Sequence, residues 1–456
     1  MALVWVRSAR DTSRTPAGPI LRRKGAPLYT PQLLFGEVGL SSDILNHEPF
    51  LERARLQREQ ERDVLARLAL GAYVVARLIN RLLTMEAGPD ALDGFRWQVD
   101  AVRRHIDDLP ADAPETAHLA GIAAAVPAEG RISAGLWMNL TAYAYFLEHE
   151  GRLEESLEIL HLAARAQGEE TPPEDFAAYA LFAARLNRQL ARWDIATTCY
   201  AAAEEAARAC GDDVSALRGR LGQGAVHRGR GNYPQARAIA EDVVRQATQL
   251  GLVDAQALAY ADLGTIFTFQ GMRLDALKAH YQAFRLTQDP LQRMRSLSDL
   301  AIDLSEIGAF EAARVAFEIV IASNTTLLVR VNALLELMDL ESGLGNRVAF
   351  ERCRSAIDQV RDSMFPSMAT DYEFKLGMGW ARFDQLGRAR EALRRGLALA
   401  ETHRLNAWYF KIEQALGKLA EIPREKSPVL QPSELSEAPI VREMEVSLRE
   451  YTLSTE

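Results

Sequence analysis

Apolar residues recur along most of this chain at the three- and four-residue spacing of amphipathic helices, and no stretch alternates as a strand would. The pattern is clearest over Gln256–Gln288. There Tyr260, Leu263, Gly264 and Phe267 share one helical face, Gly271 interrupts, and Ala276 and Ala283 mark the face of a second helix. Imperfect copies surround this pair. Turns beginning at 151, 191, 231 and 271 read GRLEES, ARWDIA, GNYPQA and GMRLDA, spaced by 40 residues. GAFEAA at Gly308 and GNRVAF at Gly345 follow at intervals of 37, and GRAREA at Gly387 after 42. A regular period near 40 predicts an all-α fold, an α-solenoid of about seven helix pairs.

Each pair has a physical logic. Glycine at the hinge supplies the left-handed turn that ends the first helix. A small residue at the crossing (Ser156, Ala196, Ala236, Ala276, Ala313, Ala392) lets the helices approach closely. A bulky residue (Leu153, Trp193, Tyr233, Phe310) plugs the turn, and Pro234 falls in a first helical turn where no hydrogen bond is lost. Phe350 occupies the small position of the sixth copy and makes it the poorest match. This pattern resembles the tetratricopeptide repeat (TPR) family over roughly Ser133–Ala420. The fourth copy carries it best, and the fifth follows through Leu297, Leu300, Ala301, Leu304, Gly308, Phe310, Ala313 and Phe317. The period is longer than the family's usual one and looks like that of TPR-like regulators and adaptors. The resemblance implies a fold and a protein-binding role.

Outside the array the pattern changes. Residues 1–50 are a Pro-rich arm, and in its first two dozen residues Arg7, Arg10, Arg14, Arg22, Arg23 and Lys24 face a single Asp11. Residues 51–130 read as a helical cap on the array. The spacing predicts one long helix over Glu52–Leu83 with a charged, solvated first half, then a helix through Phe95, Val99, Val102, Ile106 and Leu109, then a short Ala-rich one at Ala117–Val126. The array is assigned 131–403. A capping helix at 404–421 presents Trp408, Ile412, Ala415, Leu416 and Leu419. Residues 422–456 form a tail with prolines and more acids than bases, either unstructured or a tethered acidic ligand.

Composition narrows the function. A net charge of −9 over 456 residues argues against a general nucleic-acid binder. Cys199, Cys210 and Cys353 form no CxxC pair, and Val64–Leu83 carries Arg67, Arg77 and Arg81, against a membrane span. With no secretory signal pattern, a cytoplasmic location is the expectation. The eight histidines form no HxxxH or HExxH pattern, and no nucleophile–base pair stands out. No enzyme, metal or cofactor is expected. The glycines of Gly219–Gly231 look superficially like a phosphate loop, but no strand precedes them, so close helix packing and a hinge explain them better.

In TPR-like arrays the first helices of the pairs line the concave groove. The stripe facing it would carry Arg185 and Arg188, then Arg218, Leu221 and Arg228, then Thr265, Thr268 and Phe269. Asp299 and Glu306, then Glu336 and Asp339, then Asp384 follow. The stripe is therefore expected to be basic early and acidic late. Such charges either merely keep the face solvated or hold a protein or peptide partner. In the second case guanidinium forks take carboxylates, and Phe269 and Leu221 act as apolar anchors. The expected function is a non-enzymatic interaction scaffold or adaptor. The alternatives are a peptide- or ligand-responsive sensor, or a subunit that self-assembles through its oppositely charged arms.

Overall fold

The structure, a computed structural model, describes residues 47–85, 89–126, 134–167, 172–361, 364–403, 405–421 and 430–455. The basic arm expected over 1–50 lies outside the described residues apart from its last four. The described chain is all-α, a solenoid of helix pairs. Its residues divide into two units, Met1–Arg230 and Gly231–Glu456.

Among the described residues of the first unit nine helices run α1 (Glu48–Glu59), α2 (Asp63–Thr84), α3 (Pro89–Asp107), α4 (Pro114–Ala125), α5 (Ala134–His149), α6 (Leu153–Gln167), α7 (Pro173–Gln189), α8 (Trp193–Cys210) and α9 (Asp213–Gly229). The helix expected over Glu52–Leu83 is two. Glu61 adopts φ 57° and breaks it, and α1 folds back along α2. Its charged half is therefore not a solvated extension. Phe50 is wholly buried, and Arg53 approaches Glu115 at 3.7 Å and Glu155 at 4.0 Å. Those acids belong to a buried network in which Tyr143 Oη and Arg152 Nη1 each donate to Glu115 Oε1 at 2.7 Å, and Arg152 also pairs with Glu155. Burial pushes the Glu115 carboxyl up, and the Arg152 and Arg53 guanidiniums bring it back below its ordinary value.

The second unit holds α10 (Tyr233–Leu250), α11 (Val253–Phe269), α12 (Arg273–Leu286), α13 (Pro290–Glu306), α14 (Phe310–Ala322), α15 (Leu327–Gly343), α16 (Arg347–Asp358), α17 (Pro366–Arg382), α18 (Leu386–Thr402), α19 (Asn406–Glu421), a 3-10 turn at Glu434–Glu437 and α20 (Pro439–Thr455). By their place in the sequence repeat, helices α5, α7, α9, α11, α13, α15 and α17 are called A below, and α6, α8, α10, α12, α14, α16 and α18 are called B. The helix α19 closes the series through buried Ile412, Ala415 and Leu419.

The hinges form as their residues dictate. Gly151, Gly231, Gly271, Gly308 and Gly345 all have φ between 71° and 86°, and Ala191 reaches 56° where glycine is missing. The seventh hinge is not Gly387, which lies inside α18. Asp384 takes the left-handed turn at φ 59°, which places Ala389, wholly buried, at the crossing. Aspartate tolerates this conformation better than most residues. At the sixth crossing Phe350 is wholly buried, because Gly379 on the next A helix makes room for it; a Cβ there would lie 2.3 Å from the ring. The bulky and small partners have exchanged sides. The glycines of α9 serve the same end: a Cβ at Gly222 would lie 2.1 Å from the Tyr200 ring.

The C-terminal segment is laid on its own unit. Leu430 N donates to Gly343 O at 3.0 Å, and Ser433 Oγ donates to Ile307 O at 2.5 Å. The helix α20 then packs on α14, burying Val441, Met444 and Leu448, while Tyr451 meets the Phe284 ring edge-on at 5.7 Å.

Candidate functional site

The polar stripe of the A helices is built by side chains that join one A helix to the next. In the first unit α7 presents Arg185 to Glu148 on α5 as a two-pronged ion pair, Nε–Oε1 and Nη2–Oε2 both 2.7 Å. The guanidinium lies 4.8 Å over the Phe182 ring and 5.7 Å over Tyr145, and those rings stack at 4.1 Å. Gln189 Nε2 donates to the same Glu148 at 3.0 Å. Burial alone would lower the Arg185 pKa, but Glu148 more than offsets it, so the group is held charged. Arg188 turns to the B helix instead, Nε donating to Tyr200 Oη at 3.3 Å. On α9 Arg218 is exposed, Arg228 is half-buried, and Leu221 is buried at 7% exposure, a packing residue rather than a surface anchor.

In the second unit Thr265 is half-buried and returns its hydroxyl to Ala261 O at 3.0 Å. Thr268 bonds Gly264 O at 3.0 Å and reaches Asp303 of α13 at 3.5 Å. Phe269 is 62% exposed, its ring stacked on Tyr233 at 5.8 Å. Asp339 of α15 accepts from Arg382 Nη1 of α17 at 2.5 Å, and Glu336 accepts from Lys375 Nζ at 2.6 Å. Asp384 is exposed at its hinge. The expected run of late acids is therefore partly neutralised by bases one repeat further on.

Two acids stand apart. Among the described residues neither the Asp299 nor the Glu306 carboxylate, both on α13, has a hydrogen bond or ion pair. Burial pushes both carboxyls up and the repulsion of Asp303 adds to the rise; His280 and Arg295 at Asp299, and Arg273 at Glu306, pull the other way without cancelling it. Between them on the helix Asp303 is buried and accepts from His280 at Nδ1–Oδ2 2.6 Å. Glu306 closes α13 where Arg273 Nη1 donates to its backbone oxygen at 3.2 Å.

The sequence reading missed Glu148, Asp303, His280, Lys375 and Arg382. A signal existed. The cross-repeat partners lie 37, 41, 35, 39 and 43 residues apart for Arg185–Glu148, Gln189–Glu148, Thr268–Asp303, Lys375–Glu336 and Arg382–Asp339, which is one period. Opposite charges one repeat apart on the same stripe are legible as pairs. No set of three or more histidine, cysteine or carboxylate side chains able to hold a metal occurs among the described residues. No helix among them is long and apolar enough to cross a membrane.

No protein-family model matches the chain, and no curated protein matches it. Solved structures do. The Rap conjugation gene regulator of plasmid pLS20, in complex with the Phr* peptide, is 12% identical, with 79% of this chain and 95% of that one covered at a TM-score of 0.47. The apo form of the quorum sensor NprR from B. thuringiensis is 12% identical, with 77% and 97% covered at 0.46. The apo form of RapI is 8% identical, with 59% and 98% covered at 0.42.

Proposed function

We propose that this chain is a cytoplasmic, non-enzymatic TPR-like scaffold that holds a protein or peptide partner on the polar stripe of its A helices. The observation that carries this reading is the pair of carboxylates of Asp299 and Glu306, without a hydrogen bond or ion pair among the described residues, with the exposed ring of Phe269 on the preceding A helix. A half-buried acid whose pKa is already pushed up gains when a cation comes to it, because the partner's charge replaces the lost solvation. An exposed aromatic ring already stacked on Tyr233 loses little rotamer freedom on binding. The partner segment is thus a basic one with an apolar side chain beside its Lys or Arg. In the first unit Arg185, held rigid by Glu148 and its aromatic bed, offers a contact to an acidic segment through its remaining N–H groups.

The test is an array of short peptides of varied charge probed with the full chain. Basic peptides bearing an aromatic or aliphatic residue should bind. Glu306→Gln and Phe269→Ala should each weaken them by roughly tenfold, the effect of losing one charge-assisted contact or one apolar anchor. Arrays that bind the variants and the parent chain alike would remove this face from consideration.

A further inference from the structure

A second cleft opens on the opposite members of the pairs. It lies between the B helices α16 and α18, with a volume of about 310 Å³. The α17 residues Tyr372, Leu376 and Trp380, spaced by four, form its floor, and Arg354, Arg361, Arg388 and Arg395 stand around it. Four guanidiniums against the two carboxylates of Asp358 and Glu391 leave the lining of this cleft basic in a chain whose net charge is −9.

Their surroundings differ in a useful way. Arg354 pairs with Glu351 and Asp358, each at 2.7 Å. Arg361 and Arg395 both pair with Glu373, whose side chain is wholly buried beneath them; Arg395 Nη2 approaches it at 2.9 Å. Arg395 also reaches Glu391 at 3.0 Å. Arg388 has no ion-pair partner among the described residues. Its guanidinium lies 4.9 Å over the Trp380 ring, and Arg361 lies 5.8 Å over Tyr372. The aromatic floor is itself covered: Tyr372 is 1% and Trp380 6% exposed. A ligand in this cleft therefore meets guanidinium N–H groups, with the paired carboxylates of Asp358 and Glu391 beside them, rather than ring faces.

We propose that the cleft binds a small ligand carrying two linked phosphoryl groups, as in inorganic diphosphate or the diphosphate of a nucleotide. Each guanidinium has five N–H donors, and the existing carboxylates use only some of them. Arg388 and Arg395 are seven residues apart on α18, two turns along one face, so both side chains reach the cleft. A single carboxylate would compete poorly with the acids already present. A diphosphate brings more charge and enough acceptor oxygens to engage several forks together. The negative charge of the whole chain repels long polyanions, which leaves a small ligand as the occupant. This site is independent of the partner face on the A helices.

The experiment is calorimetric titration of the full chain with inorganic diphosphate, orthophosphate, ADP and adenosine. Diphosphate should bind one to one and about tenfold or more tightly than orthophosphate. Arg388→Gln should weaken it by about tenfold or more, the scale of one charge-assisted contact, while Arg390→Gln, exposed on the same helix, should not. ADP binding far more tightly than diphosphate would assign the ligand as a nucleotide; equal affinity would assign the diphosphate alone. On the unaltered chain, diphosphate should protect Arg388 from phenylglyoxal, read by mass spectrometry. Absence of binding at about 1 mM, equal affinity for orthophosphate, or unprotected Arg388 overturns the proposal.

Discussion

Gly264 is the sharpest place to test the packing. It lies on α11 with no Cβ, and the space is taken by His280 of α12. A Cβ there would fall 2.3 Å from His280 Cδ2 and 2.4 Å from Nε2. The ring has nowhere to go, because Nδ1 is tied to Asp303 at 2.6 Å and the side chain is 5% exposed. Gly264→Ala therefore overpacks a site that cannot relax, at about 1–3 kcal/mol, against a gain of about 1 kcal/mol from putting alanine in a helix interior. The net cost is up to about 2 kcal/mol. Measured by hydrogen exchange of the α11 and α12 amides, where protection reports the opening equilibrium, this is a loss of protection of up to roughly thirty-fold. The same substitution made in a His280→Ala chain should be neutral or stabilising by up to about 1 kcal/mol, since only the helix term remains. An equal cost in both backgrounds would refute the reasoning, because it would mean the ring is not what the Cβ meets.

Two further tests concern buried histidines and the C-terminal segment. Burial lowers the His280 pKa, but the hydrogen bond and charge of Asp303 outweigh it and hold the imidazole above its ordinary 6.5. Its stabilisation should be complete below pH 6.5 and disappear as pH rises through the raised value, with a slope of up to about 1.4 kcal/mol per pH unit. In the other unit His161 is pushed down to about 3 by burial, helped by Arg165 and Arg192, so its contribution is full above pH 6.5 and is lost as pH falls towards 3. Ring-proton NMR should show one histidine titrating above and one below the ordinary value; a pair titrating together at 6.5 would count against both assignments. Gly308 and Gly345 share a left-handed backbone, but only at Gly308 would a Cβ meet Ser433 N at 2.6 Å. Both alanine variants carry about 1–2 kcal/mol of strain, and only Gly308→Ala should also speed tryptic cleavage at Arg442 on α20. Equal cleavage rates in the two would show that the segment does not depend on that glycine.

The repeat was legible because its hinges are set by local chemistry: a glycine that can take positive φ marks each turn at Gly151, Gly231, Gly271, Gly308 and Gly345. Reading failed where another residue did the same work. Asp384 carries the seventh hinge, and nearby Gly387 is an ordinary helical residue. Phe350 looked like a poor fit because its accommodation is written 29 residues later, in Gly379. The stripe residues were found on the A helices, but not what neutralises them, since Arg185 needs Glu148 and Asp339 needs Arg382 from neighbouring repeats. The break at Glu61 leaves no glycine or proline in the sequence. It becomes intelligible only with Arg53 near Glu115 and Glu155, contacts made across 62 residues or more.

The path of residues 430–451 carries a practical consequence. Gly343 and Gly308 leave bare backbone where Leu430 and Pro432–Ser433 cross, so one hinge glycine, Gly308, and the last glycine of α15 together serve as the track for this segment. Val441, Met444 and Leu448 then shield apolar surface on α14, each contributing roughly 1.5–3 kcal/mol of burial before the cost of ordering the helix. A chain shortened at Glu421 would not be a trimmed version of the same particle. It would carry a wet hydrophobic seam beside Phe284 and α14, and its first new property would be stickiness. Clumping of such a truncated protein would report the missing lid over that seam and say nothing about how the intact chain associates.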